Sequence, residues 1–273
     1  MQTKRIGFIG AGNMTQSIIS GLIASGYPSS AIIASNRSHG KLATLKDELH
    51  ISTTTDNDQV CAFADIIVLS VKPQIMADVL GALDASNIDD KKVVMSIAAG
   101  ISVQRLAEML PAAKKWVRAM PNTPSAVGLG MTGLYANPQV TESERLAAAE
   151  LMQAIGEILW VSEESQIDAV IAAAGSAPAY FFLFLEAMQK EAEAMGFDHQ
   201  QSRLLVQQAM KGAAEMVVRN SDLELETLRN NVTSKGGTTA EAINTFIEGD
   251  LSSLVSRSMQ AAVNRARQMS TQF

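Results

Sequence analysis

One cysteine, Cys61, stands among 273 residues, so an intramolecular disulfide is closed to the chain and a thiolate metal cluster has no material. Histidine is almost as scarce: His39, His50 and His199 are scattered and none lies in a motif, which leaves no metal site to expect. Positive charge is in deficit, with a net charge of -6 and no basic stripe, so nucleic acid is not an expected partner. A P-loop pattern and a nucleophile-base pair are both missing. The opening "MQTKRIGFIG" runs into a strand pattern without the layout of a signal peptide, and a cytoplasmic protein is the expectation. Long hydrophobic runs are few. The uncharged stretch "AVIAAAGSAPAYFFLFL" (169–185) is shorter than the ~20 apolar residues of a bilayer span and is broken by Gly175, Ser176 and Pro178. It reads as a core or subunit-interface helix, with no membrane partner.

What is present is a large apolar fraction, 47%, on a chain longer than the usual single domain, which predicts two cores. Short β-rich runs, 5–10, 31–36, 65–71, 93–98 and 116–120, alternate with helical patterns in the first half. Apolar strands that are continuous rather than alternating, with helices between them, specify a parallel sheet covered on both faces. After about Trp160 the β-rich runs cease, and helical segments break at Gly196, near Asn220 and at Gly249. The reading is α/β: a Rossmann-type domain over 1–161 followed by an all-α domain over 162–273. Aromatics make up only 5% of the chain, so the helical half has few large anchors for a core of its own, and a homo-oligomer that completes its burial is expected; a self-contained bundle is the alternative.

Gly10-Ala11-Gly12 sits where the first strand meets the first helix. Two glycines permit a tight turn and let a pyrophosphate reach the helix N-terminus, where free N–H groups and the dipole favour an anion. Thr15 occupies the third fingerprint position. An NAD site usually has Asp or Glu at the end of the second strand; here Ser35, Asn36 and Arg37 stand there, with no carboxylate to repel a 2′-phosphate and several donors to receive it. NADPH is the expected cofactor, with NADH as the alternative. "LSVKP" (Leu69, Ser70, Val71, Lys72, Pro73) and "SIAAG" (96–100) fall at carboxyl ends of strands, where an open α/β sheet binds ligands. The stretch 118–130 reads as a proline-stiffened loop that either walls the nicotinamide pocket or joins the domains.

"TSKGGTTAEAI" (233–243) puts two glycines and two threonines before a helical run. Thr238-x-x-Glu241 fits a capping box, with Thr238 as N-cap and Thr239 as the first helical residue. Gly236 and Gly237 clear the approach to N–H groups left unsatisfied at that end, which suits a small carboxylate. A plain turn and cap is the other reading.

Taken together, Gly10-Ala11-Gly12, "VKP" (71–73), "RAMPNTP" (118–124), "GSAPAY" (175–180) and "NNVTSKGGTTAEAI" (230–243) resemble pyrroline-5-carboxylate reductase in order along the whole chain. The resemblance implies reduction of 1-pyrroline-5-carboxylate to L-proline by NAD(P)H, and a helical domain that interlocks two chains within a larger ring, a decamer. It places cofactor contacts at Ile9, Gly10, Ala11, Gly12, Asn13, Met14, Ser35, Asn57, Leu69 to Pro73, and Ile97, Ala98 and Ala99, with Asn231 near the cofactor. Substrate contacts fall at Thr238, Thr239 and Glu164. Ala177 departs from the glycine the family commonly has there. The chemistry agrees with the scarcity of histidine. A ketone needs a strong proton donor for its developing alkoxide, whereas a cyclic imine is protonated in solution and already electrophilic, so positioning suffices. Thr239 is the expected catalytic contact to the ring nitrogen. A β-hydroxyacid dehydrogenase is disfavoured by the lack of lysine after Gly175, and a non-catalytic NADP-binding protein would bind nucleotide without turnover.

Overall fold

The structure, a computed structural model, describes residues 3–272. Its sheet is built from β1 (Ile6–Ile9), β2 (Ile32–Ser35), β3 (Ser52–Thr54), β4 (Ile66–Leu69), β5 (Val93–Ser96), β6 (Lys115–Met120), β7 (Gly130–Ala136) and β8 (Gly156–Trp160). Spatial order is β3-β2-β1-β4-β5-β6-β7-β8. β1, β2, β4 and β5 are buried at every position, as strands covered on both faces must be. One face packs Phe8, Ile18, Ile19, Val68 and Leu134; the other packs Ile9, Val60, Cys61, Leu69 and Trp116. All pairings are parallel except β6 with β7.

That antiparallel pair corrects the reading of 118–130 as a loop. Arg118 lies inside β6, Gly130 opens β7, and only the short 3-10 turn Thr123–Val127 and its flanks connect them. Gly128, at φ 72°, ends the turn, while Asn122 Oδ1 accepts from Met131 N–H at 2.9 Å and its Nδ2 donates to the Ala174 carbonyl at 3.0 Å. A side chain that bonds in two directions holds the connection in place without regular structure.

Around the sheet lie α1 (Asn13–Ala24), α2 (His39–Leu49), α3 (Asn57–Phe63), α4 (Met76–Gly81), α5 (Val103–Met109), α6 (Glu142–Gln153) and α7 (Gln166–Val170). A capping box between Thr141 and Glu144 opens α6, and the same Glu144 carboxylate takes Lys115 Nζ at 2.7 Å, tying the helix to β6. The remaining helices are α8 (Ala177–Ala194), α9 (His199–Arg219), α10 (Leu225–Asn231), α11 (Thr238–Glu248) and α12 (Leu251–Gln272). The chain divides into two compact units: residues 1–176 with 262–273, and residues 177–261. The end of α12 therefore belongs to the first unit, where Val263 and Ala266 are buried and Arg267 lies 3.8 Å from Asp168.

In the second unit α8 packs along α9. Only Ser202 and Val206 are buried across residues 177–261, while Phe182, Leu183, Leu204 and Val218 are each more than three-fifths exposed. The unit is a set of well-formed helices without a core of its own, so a self-contained bundle does not describe it. A π-turn over Ile171–Gly175, closed by Ser176 N–H on the Ile171 carbonyl at 2.8 Å, precedes α8. The continuous helical stretch Gln166–Ala194 is, among the described residues, long and apolar enough by length and composition to cross a membrane; the run read as too short is thus extended at both ends by helix. None of the residues of α8 is buried within this chain, which leaves the subunit-interface half of the core-or-interface expectation.

Two carboxylates tie stability to acid pH. Burial by itself raises the Asp65 carboxyl, but bonds from the Arg5 guanidinium and N–H hold it below its ordinary value. Burial likewise raises Glu144, and Lys115 with the Thr141 N–H outweighs it. Depressed carboxylates contribute fully above their unfolded values, about pH 4, and the contribution fades as pH falls through the lower folded values. In denaturant titrations from pH 3 to 7, Glu144→Gln is expected to be less stable than the parent at pH 7 and to approach it at pH 3; a gap that stays constant over this range would remove the carboxylate from the acid limb.

Candidate active site

The carboxyl ends of the central strands are laced together by backbone bonds: Gly10 N–H to the Ser35 carbonyl, Ser70 N–H to Ile9, and Ile97 N–H to Leu69, all within 2.9–3.1 Å. Strand order reverses direction between β1 and its neighbours β2 and β4, and in an open α/β sheet that switch point opens the ligand crevice. Gly10 stands in it at φ 109°, and a Cβ there would lie 2.7 Å from the Ser70 carbonyl oxygen; only glycine fits. Gly12 is the N-cap of α1, which has no side-chain cap and no acidic residue in its first turn. Its N–H groups are open to an anion. Thr15, the departure from the glycine fingerprint, is fully buried and its hydroxyl donates to the Gly10 carbonyl at 2.9 Å. It braces the turn that a third glycine would merely permit.

Ile9 and Ala11 are buried, Met14 is half-buried and Asn13 is exposed at the helix start. Ser35 is fully buried and its hydroxyl donates to Asn57 Oδ1 at 2.6 Å, so it reaches outward through Asn57 rather than directly. Asn36 Nδ2 donates to the carbonyl and hydroxyl of Ser38, each at 3.1 Å, which shapes the turn carrying the exposed Arg37. In the next strand end Leu69 is buried, Val71 and Pro73 are half-buried and Lys72 is exposed. Ser70 Oγ is buried and has no hydrogen-bond partner. An orphaned hydroxyl, an uncapped helix and a glycine turn at one switch point fit a dinucleotide. Ile97, Ala98, Ala99 and Gly100 form the lip after β5, where Ser96 Oγ accepts from Ala98 N–H at 3.3 Å.

In the second unit, the entrance to α11 differs from the capping box. Gly237 is the N-cap, no side chain caps the helix, and Thr238 and Thr239 are its first two residues. The physical reason is the turn before it. Gly236 takes φ 71°, Gly237 N–H donates to the Ser234 carbonyl at 3.0 Å, and a Cβ on Gly237 would meet Ser234 Oγ at 2.6 Å. That turn brings Gly237 into the cap position one residue early. Thr238 and Thr239 therefore both carry N–H groups without an intrahelical acceptor, and both side chains are exposed. Asn231 is exposed as the last residue of α10.

Glu164 lies in the first unit. Its Oε1 accepts from Val103 N–H at 2.7 Å and from Arg118 Nη1 at 2.8 Å. Arg118 is the residue that sequence reasoning missed. Its signal was there: an arginine within the apolar strand run "WVRAM", a charge that a covered sheet buries only with a partner. His199, the first residue of α9, lies 2.8 Å by its Nδ1 from the Glu193 carboxylate near the end of α8, while His39 begins α2 and His50 follows its last residue as the C-cap. No group of metal-ligating side chains occurs among the described residues.

Known proteins resemble the chain along its whole length. Residues 164–269 match the family "pyrroline-5-carboxylate reductase dimerisation", and residues 5–100 match "NADP oxidoreductase coenzyme F420-dependent". A pyrroline-5-carboxylate reductase of Vibrio alginolyticus is 57% identical over the whole of both chains. Among solved structures, a pyrroline-5-carboxylate reductase from Coxiella burnetii superposes with a TM-score of 0.93 at 41% identity, covering 98% of this chain and 99% of that one. A Plasmodium falciparum pyrroline carboxylate reductase with NADP bound superposes with a TM-score of 0.86 at 27% identity, covering 99% of each.

Gly12 separates fold from ligand. Its φ is an ordinary -78° and nothing lies within 4 Å of an added Cβ. Gly12→Ala is expected to keep thermal stability within about 1 kcal/mol while weakening NADPH binding roughly 10-fold, because the methyl takes space from the pyrophosphate. Fluorescence titration alongside thermal unfolding checks this, and wild-type affinity would move the pyrophosphate elsewhere.

Proposed function

Because the chain belongs to the pyrroline-5-carboxylate reductase family, we propose that it reduces 1-pyrroline-5-carboxylate to L-proline with NADPH. The observation that carries this reading is the bare entrance to α11, with Gly237 as N-cap and Thr238 and Thr239 as the first helical residues. Two adjacent N–H groups at a helix start favour a carboxylate. NADPH, when bound, would supply the hydride that the imine carbon takes up. The chain's own part is to hold the ring. Thr238 and Thr239 N–H groups take the substrate carboxylate, Gly237 leaves room for it, and the Thr239 hydroxyl bonds the ring nitrogen. No strong acid is needed, since the protonated imine is already electrophilic.

On the cofactor side, the turn after β1 from Ile9 to Met14 receives the pyrophosphate at α1, and Asn57, oriented by Ser35, binds beside it. Arg37, on the turn held by Asn36, supplies the charge that favours the 2′-phosphate. Leu69 to Pro73 and Ile97 to Ala99 would border the nicotinamide riboside, and Asn231 is assigned to the cofactor by the family resemblance alone. Glu164 is the remaining substrate contact. The functional division at 161/162, assembly of intertwined dimers into a decamer and a cytoplasmic location complete the proposal; the extensive exposed apolar surface of residues 177–261 supports the assembly.

Two variants test the assignments. A hydrogen bond to a charged group contributes about 1.5–3 kcal/mol, so Thr239→Ala is expected to lower kcat roughly 10- to 100-fold with NADPH affinity little changed; unchanged turnover would remove Thr239 from the mechanism. Arg37→Ala is expected to raise KM for NADPH about 10-fold and to leave that for NADH alone. Equal losses with both nucleotides would make Arg37 a general surface charge.

A further inference from the structure

The lip Ile97–Gly100 is held from three sides. Beneath it, Ser96 at the end of β5 is in register with Arg118 of β6. Behind it, α5 begins at Val103, whose N–H meets Glu164 Oε1 at 2.7 Å, and the same oxygen takes Arg118 Nη1 at 2.8 Å. Against its end, Gly100 at φ 75° is packed so closely on α12 that a Cβ would lie 2.8 Å from Met269 Cβ. Arg118 has a side chain only 7% exposed and Glu164 one 26% exposed, so the pair is screened from solvent far better than an ordinary surface bridge. One carboxylate oxygen thus joins a central strand to the backbone that follows the lip.

We propose that the Arg118–Glu164 pair is a positioning device for the lip: the buried guanidinium fixes the carboxylate, the carboxylate fixes Val103 N–H, and the lip is thereby held at the height that bordering the nicotinamide requires. This rests on the NADPH reading above. Neither side chain needs to touch the reacting atoms. A lip that relaxes costs rate rather than nucleotide binding, because pyrophosphate and adenosine are gripped at the β1 and β2 ends. Glu164 as a substrate contact alone would instead change KM for the imine and leave the lip as it was.

The test begins without ligand. In the nucleotide-free protein, Arg118→Met is expected to speed amide hydrogen exchange across 97–103 roughly 10-fold while β4 amides, residues 66–69, keep their protection. In turnover, the same variant is expected to lose kcat about 10- to 100-fold with NADPH affinity within roughly threefold of the parent. Arg118→Lys, which keeps the charge but not the planar fork, is expected to fall between the two. Should Arg118→Met fail to fold, Glu164→Gln carries the exchange measurement in the ligand-free protein, since it keeps an acceptor for Val103 but loses the charge that holds Arg118, and Arg118→Lys carries turnover. Unchanged exchange at 97–103 overturns the proposal, as does faster exchange that rises equally in β4, or a loosened lip with intact kcat. If the parent protein leaves the imine untouched, the reductase reading fails, and the exchange result still decides whether the pair holds the lip.

Discussion

At Gly10 the backbone passes so near Ser70 that a single added carbon would sit 2.7 Å from a carbonyl oxygen. The whole nucleotide end is organised around that approach. It lets Gly10 N–H bond the Ser35 carbonyl of β2 and lets Ser70 N–H, just past β4, bond the Ile9 carbonyl of β1, so three strand ends stop level with one another. Thr15 then closes the turn from beneath. With the backbone spent on lacing the strands, the groups left over at this end are the open start of α1, the Asn57 amide nitrogen and the unpartnered Ser70 hydroxyl.

The helical unit obeys a different constraint. Its helices satisfy their own backbone, and α9 opens on a reciprocal Asp198 and Gln201 box, yet much of their apolar surface stays in solvent within one chain. Local propensity makes such helices; it does not hold them together. A match to a dimerisation family over 164–269 accounts for a segment rich in exposed phenylalanine and leucine but without an interior.

The two-part architecture and the glycine turn were legible in the sequence because both depend on local signals: continuous apolar strands, and glycines at a strand-helix junction. Three strands were not. β3 is Ser-Thr-Thr, short and partly exposed at the sheet edge. β7 contains two glycines and follows two prolines, and Glu157 within β8 is exposed, so neither shows an uninterrupted apolar run. The start of α11 was read one residue late, because a capping-box pattern describes side chains, whereas the turn at Gly236 and its contact with Ser234 decide where the helix begins. For Arg118 the sequence signalled that a partner was needed but not which one, because the carboxylate that makes its burial tolerable is distant in sequence.

The lone cysteine carries a further consequence. Cys61 lies fully buried on α3, and burial pushes its thiol up to about 12, so at neutral pH the reactive thiolate is scarce. An alkylating reagent can mark the chain only when α3 lifts from the sheet, and α3 begins with Asn57. The molecule thus carries its own clock: the pace of labelling counts openings of the helix that supplies the Asn57 amide, and any ligand that binds only the closed form slows it.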